Sequence, residues 1–182
     1  MGDIKKELML KVSIFGEKNV GKTTLAKRYL TGLFDSEIKS TLGSEILIKF
    51  LTFKDYLITL QVWDFGGEDM FRFLLPIYSR GSSGGIFMYD LSRPQTLNNM
   101  NVFIDLFKQG LEEEKRDVPI LLVGGKLDLV NNRDEASENA RNLIESRNLC
   151  NSIECSAITG ENVEHLFELL IENILTNKKL PK

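Results

Sequence analysis

Cysteine is scarce: 182 residues contain only Cys150 and Cys155, too few for a disulfide framework and without the CxxC or Cys/His spacing of a metal site. A reducing compartment is expected. Four prolines and fourteen glycines exclude a collagen-like or Pro/Gly-rich disordered chain. Long apolar runs are missing too. No window approaches the roughly 18 residues of a membrane span, and the opening MGDIKKELML has no apolar stretch of signal-peptide length. Gly2 begins a myristoylation-like pattern, but Lys6 occupies the position that calls for Ser or Thr. The tail NKKLPK has no cysteine for prenylation and too few lysines for a polybasic anchor. A cytoplasmic protein with no covalent membrane anchor is expected. Positive charge is not in excess either: 23 Lys and Arg against 26 Asp and Glu leave −3, which argues against nucleic acid as a partner. What is present is an ordinary globular composition in a chain long enough for one domain over 1–182, with a core over about 9–176 and short polar tails.

Apolar segments alternate with amphipathic ones. Residues 9–15 read as a strand, and 22–32 as a helix stopped by Gly32. Residues 45–63 read as two strands around a Lys54-Asp55 turn. GIFMYDL (85–91) and VPILLVG (118–124) are continuous apolar runs, the pattern of parallel strands buried on both faces. Leu97, Met100, Ile104, Phe107 and Leu111 recur at helical spacing, as do Val163, Leu166, Phe167, Leu170, Ile171 and Ile174. His165, beside the second stripe, is expected to face solvent. A weaker helix is expected over 134–148, and 152–157 reads as the last strand. The order β-α-β-β-α-β-α-β-α-β-α predicts an α/β fold: a mostly parallel six-stranded sheet with one antiparallel edge strand and helices on both faces.

Between the first strand and the first helix lies GEKNVGKT, residues 16–23, which fits GxxxxGK[ST] in its strand-loop-helix setting. Gly16 and Gly21 let the backbone wrap, so that amides along Glu17, Lys18, Asn19, Val20 and Gly21 converge with a helix N-terminus on phosphate. Lys22 adds a point charge, Thr23 a hydroxyl for Mg²⁺, and Thr24 continues the phosphate-binding run. The next strand pair ends in Trp63-Asp64-Phe65-Gly66-Gly67-Glu68. An acid at the carboxyl end of a strand near that loop is placed to hold a water of the metal's shell, the role expected of Asp64. Two further loops select the base. Guanine offers two donors on one edge, which a carboxylate accepts side by side, whereas adenine presents an acceptor there and repels it. Asp128, in Gly125-Lys126-Leu127-Asp128, is the expected guanine reader. Backbone amides around Ser156, Ala157 and Ile158 are expected at guanine O6, and the Lys126 stem along the base face.

With these residues the chain resembles the small GTPases of the Ras superfamily over residues 9–176. The Rab branch is matched by Thr41-Leu42-Gly43-Ser44-Glu45, Leu60-Gln61-Val62-Trp63-Asp64, Tyr78-Ser79-Arg80-Gly81 and Met88-Tyr89-Asp90-Leu91-Ser92. The resemblance implies a single G domain, the P-loop NTPase three-layer sandwich, GTP and GDP as substrate and product with Mg²⁺, and two mobile loops. It also implies effector, exchange-factor or activating proteins meeting residues 34–50 and 65–78. It assigns Thr41 to the metal, Phe34 to the guanine edge and the Gly67 amide to the γ-phosphate. Trp63 and Tyr78 match two of the three aromatics that Rab proteins present to partners, with Ile46 in place of the third. Phe71, Phe73, Leu74 and Leu75 fit either a core or a docking surface.

Three positions depart from the family pattern. Glu68 stands where the family has the glutamine that orients attacking water. A carboxylate accepts a water proton but also brings negative charge toward a polyanion. The expected catalytic set is Glu68, Gly67 and Lys22. Lys18 replaces a small residue, and its side chain either fills the space an external arginine would enter or supplies cationic charge itself. Gly125 replaces the asparagine of the NKxD pattern, removing a side-chain bond between base loop and phosphate loop. At about 1 to 3 kcal/mol per lost buried bond, affinity falls by several-fold to about a hundredfold. The leading expectation is a GTP-binding switch with slow hydrolysis, and the alternative is a nucleotide-bound scaffold that does not turn over. A P-loop kinase or ATPase is disfavoured by Asp128 and Ser156-Ala157.

Overall fold

The computed structural model describes residues 6–37, 41, 43–67, 69–113, 116–130, 147 and 149–177. Its elements run β1 (Lys6–Phe15), α1 (Lys22–Thr31), β2 (Ser44–Phe53), β3 (Tyr56–Phe65), α2 (Leu75–Tyr78), β4 (Gly84–Asp90), α3 (Met100–Gly110), β5 (Ile120–Gly125), β6 (Asn151–Glu154) and α4 (Val163–Thr176). The expected helix over 134–148 lies outside the described residues.

The two continuous apolar runs form β4 and β5, whose residues are all buried. They occupy the interior of a sheet ordered β2-β3-β1-β4-β5-β6, in which only β2 and β3 are antiparallel. Helices cover both faces. One core gathers Leu25, Ala26 and Tyr29 of α1 with Val163, Leu166, Phe167, Leu170, Ile171 and Ile174 of α4. The other gathers Met100, Phe103, Ile104 and Phe107 of α3 with Phe15, Phe87 and Leu122. Two glycines at the start of β4 admit this packing, since a Cβ at Gly84 would lie 2.9 Å from Ile174 and one at Gly85 3.0 Å from Phe15. This is the three-layer Ras-like α/β architecture expected. Cys155 is buried, Cys150 half-buried, and both are free thiols.

Element boundaries shift from the sequence expectation by one to a few residues, and three of the shifts have a visible cause. Strand β1 begins at Lys6, because Lys6, Glu7 and Leu8 extend the parallel ladder beside Tyr56, Leu57 and Ile58 although they bury little. Leu97 belongs to a 3₁₀ turn, Pro94–Leu97, and α3 starts only at Met100. Strand β6 stops at Glu154. The Cys155 amide still reaches Gly124 O at 2.8 Å, after which the chain turns so that Gly160 N meets Ser156 O at 2.9 Å. The parallel strands deliver the loops after β1, β4, β5 and β6 to one edge of the sheet, the usual ligand side of an open α/β fold.

Candidate functional site

The loop after β1 is shaped by its glycines. Gly16 has φ 144°, and a Cβ there would overlap Met88 O, so the loop presses on the backbone of β4. Gly21, at φ 103°, starts α1. Lys22 is buried, and its Nζ donates to the Gly16 and Glu17 carbonyls at 3.1 and 2.7 Å. Burial pushes the Lys22 ammonium down to about 8, against the opposing pull of Asp64 and Glu17. The side chains of Val20 and Glu17 take no part in the cleft. Val20 is buried in the α1–α4 core, while the Glu17 carboxylate accepts from Asn99 Nδ2 at 2.5 Å and pairs with Arg72 at 3.4 Å.

Three oxygens meet beside Lys22. Thr23 Oγ1 donates to Asp64 Oδ2, Thr41 Oγ1 lies 3.2 Å from the same oxygen, and the two hydroxyls are 2.7 Å apart. Asp64 is fully buried, and burial raises its carboxyl above the usual range despite the Thr23 hydroxyl, the Lys22 charge and the Thr41 hydroxyl. Its Oδ1 has no hydrogen-bond partner among the described residues. A buried carboxylate oxygen left over beside two hydroxyls is a hard oxygen donor set, which fits Mg²⁺ and its water shell.

Both expected mobile segments reach this point. Gly66 N donates to Gly43 O at 2.8 Å, joining them, and a Cβ at Gly67 would fall 2.4 Å from the Glu17 backbone and 2.5 Å from Lys18 N. Only a glycine fits so close to the phosphate loop. Glu68, the next residue, lies outside the described residues. The resulting cleft, about 280 Å³, is lined by Lys18, Asn19, Gly21, Lys22, Thr23, Thr24, Phe34, Thr41, Gly67 and Lys126 of the expected set, together with Asp35, Ser36, Phe65 and Gly66.

Of the expected base-loop residues only Lys126 lines this cleft; Asp128, Ser156, Ala157 and Ile158 do not. Ser156 Oγ donates to Asp128 Oδ1 at 2.5 Å, and Leu127 N to Cys155 O at 3.0 Å, so the loops after β5 and β6 are fastened together. Asp128 is exposed, Ala157 half-buried and Ile158 exposed beside it. Lys126 has φ 61° and rests its Nζ on Asp90 at 2.7 Å. A Cβ on Gly125 would meet the Met88 methyl at 2.3 Å, so a side chain there would require the flexible end of Met88 to turn aside. Asp90 lies in the Rab-like segment Met88–Ser92, but the segment assigned no role to Asp90, and Arg93 follows it outside every motif. The signal available was an acid ending a buried strand next to the phosphate-loop strand.

The flank of the cleft carries aromatic and apolar groups. Trp63 and Tyr78 have ring centroids 6.3 Å apart, Ile46 pairs across the sheet from Trp63, and Lys11 Nζ lies 3.7 Å over the Trp63 ring. Leu75 is buried in the core, Leu74 half-buried and Phe73 exposed, while the Phe71 side chain lies outside the described residues. His165 is exposed. Among the described residues no helix is long and apolar enough to cross a membrane.

Residues 11–176 match the Ras family. The chain belongs to that family. Its relatives include the Ras-related protein Rab7 of Cenchrus ciliaris, 32% identical over 96% of this chain and 86% of the relative. Rab7 of Drosophila melanogaster is 31% identical over 94% of this chain and 83% of its own length. Rab-7a of Dictyostelium discoideum is 31% identical over 94% and 85%. This member of the Ras family carries Lys18, Glu68 and Gly125 at the three positions expected to depart from the family pattern.

Proposed function

We propose that this Ras-family chain is a guanine-nucleotide switch that hydrolyses GTP slowly. The observation that carries the reading is the meeting of Thr41 and Gly67, from two separate segments, with Thr23, Asp64 and Lys22 at one end of the cleft. A terminal phosphate there touches both segments, so its loss changes what holds them. Lys22 and the amides of residues 17–24 bind the phosphates. Thr23 and Thr41 hold Mg²⁺, with Asp64 on its water shell, and the ion supplies charge neutralisation for the phosphates. Asp128 accepts the guanine N1–H and N2 amine, the amides around Ser156, Ala157 and Ile158 donate to O6, Lys126 lies along the base, and Phe34 closes its edge. Glu68 orients the attacking water. Residues 34–50 and 65–78 meet regulators and effectors, together with Trp63, which stands beside Ile46 and Tyr78.

A residue that orients water acts only in the transition state, so Glu68→Ala is expected to slow single-turnover hydrolysis of bound GTP about 10- to 100-fold with GTP affinity nearly unchanged. Glu68→Gln separates basicity from position. A slower glutamine variant that loses the pH dependence of the wild type assigns a proton-accepting role, and equal rates assign positioning alone. GTP retained without detectable hydrolysis in all three proteins would leave the second reading, a non-hydrolysing scaffold.

A further inference from the structure

The two loops of the cleft are joined through side chains to which the motifs assign no such role. Gly125 has no side chain, although a Cβ there would lie 3.2 Å from Val20 O, directly against the phosphate loop. The connection runs through Asp90, at the end of β4 and fully buried. Its Oδ2 receives Lys126 Nζ at 2.7 Å from the base loop and Arg93 Nε at 2.8 Å. Its Oδ1 accepts the Ser92 amide at 2.9 Å and the Ser92 hydroxyl at 2.6 Å. The other arm of the Arg93 guanidinium, Nη2, donates to Asn19 O at 2.9 Å and lies 3.5 Å from Lys18 O. Burial alone would raise the Asp90 carboxyl, but the bonds from Lys126, Ser92 and Arg93 outweigh it and hold it below its ordinary value. One charged carboxylate therefore holds the base-loop lysine and an arginine that grips the phosphate loop. A guanidinium does this because its donors point in fixed, divergent directions, whereas an ammonium is a point charge.

We propose that Asp90 and Arg93 are positioning residues that couple the phosphate loop to the base loop and so set how long a bound nucleotide stays. The proposal rests on the guanine-nucleotide reading above. A nucleotide spanning both loops leaves only when they part, so the coupling acts on dissociation and little on encounter. The turn that carries Arg93 is held separately: Asp90 N donates to Thr96 Oγ1 at 2.9 Å, and that hydroxyl donates to Arg93 O at 2.8 Å. Thr96 thus provides a control that loosens the turn without removing the guanidinium.

The test is the dissociation rate of a fluorescent GDP from the full chain with Mg²⁺, chased by excess GDP. Arg93→Ala is expected to speed release about five- to tenfold, in line with one charge-assisted bond that is partly exposed. Asp90→Asn, which frees both cations, is expected to exceed that. Arg93→Lys, whose ammonium cannot span carboxylate and carbonyl together, is expected at two- to fivefold with association unchanged. Thr96→Val is expected to lower the melting temperature while leaving release within about twofold of wild type. Release from Arg93→Ala at the wild-type rate overturns the proposal, as does equal acceleration by Thr96→Val and Arg93→Ala, which would make the effect one of turn stability. Should Arg93→Ala not fold, Arg93→Lys at the wild-type rate overturns it. A wild-type chain that retains no guanine nucleotide overturns the parent reading and the coupling with it, an outcome distinct from retention with unchanged release.

Discussion

At the scale of single residues, the site depends on side chains whose polar atoms have one place to go. Asp128 is exposed, yet Ser156 Oγ fixes one of its oxygens at 2.5 Å, a tether that in the proposed reading steadies the carboxylate for guanine's pair of donors. On the proposed reading, replacing it by asparagine would put an amine opposite guanine's amine. Asp128→Asn is expected to weaken GDP binding about 10- to 100-fold and to favour xanthosine diphosphate, whose 2-oxo group needs a donor. Ser156→Ala is expected to cost a few-fold, because the carboxylate survives but loses its tether. Competition against a fluorescent GDP measures both, and a wild type that binds ADP and GDP equally contradicts the assignment of the base loop. Asp64 shows the converse case. Its buried Oδ1 has no hydrogen-bond partner among the described residues, an observation behind the proposal that it holds the cation's water shell.

At the scale of elements, the two segments that meet at the phosphate end are joined through backbone among the described residues. Gly66 N to Gly43 O links them, and Gly67 rests on Glu17 and Lys18. Contact with backbone leaves no rotamer through which an added methyl could escape, so Gly67→Ala must lift the second segment off the loop. Hydrogen exchange is expected to show residues 34–44 and 65–78 better protected with a non-hydrolysable GTP analogue than with GDP. In Gly67→Ala the difference over 65–78 is expected to vanish while GDP affinity stays within about twofold. Identical exchange of the wild type in the two nucleotide states would count against switching. The outward side of the second segment is tied as well, by Arg72 to the phosphate-loop Glu17 and by Lys11 Nζ to Tyr78 O at 2.6 Å. Movement of residues 65–78 therefore disturbs both the phosphate loop and the Trp63–Tyr78 face on which partners are proposed to dock.

At the scale of the whole molecule, the site stands on a stack formed between elements far apart in the chain. The Tyr29 and Phe167 rings lie 3.7 Å apart and nearly parallel, joining α1, which begins in the phosphate loop, to α4. Lys49 of β2 caps the pair, 3.6 Å above the Tyr29 ring and ion-paired with Glu164 at 3.2 Å. Removing a buried ring of this kind costs about 3 to 5 kcal/mol, so Phe167→Ala is expected to lower the melting temperature by roughly 10 °C at saturating GDP. A loss under 3 °C in thermal denaturation would show that the stack does not hold α1 in place. The sequence by itself determined the strands of the interior, the two apolar stripes of α3 and α4, and the phosphate and base loops. Each of these is a local pattern, a period or a motif whose residues are near neighbours in the chain. Tertiary structure alone decided that Lys6, Glu7 and Leu8 join β1, since their pairing comes from the distant ladder of β3 and not from burial. It alone decided that Glu17 turns away from the cleft toward Asn99 and Arg72, and that Asp90 gathers Lys126 and Arg93. Such contacts are satisfied by residues that the fold, and not the chain's own spacing, brings within hydrogen-bonding distance.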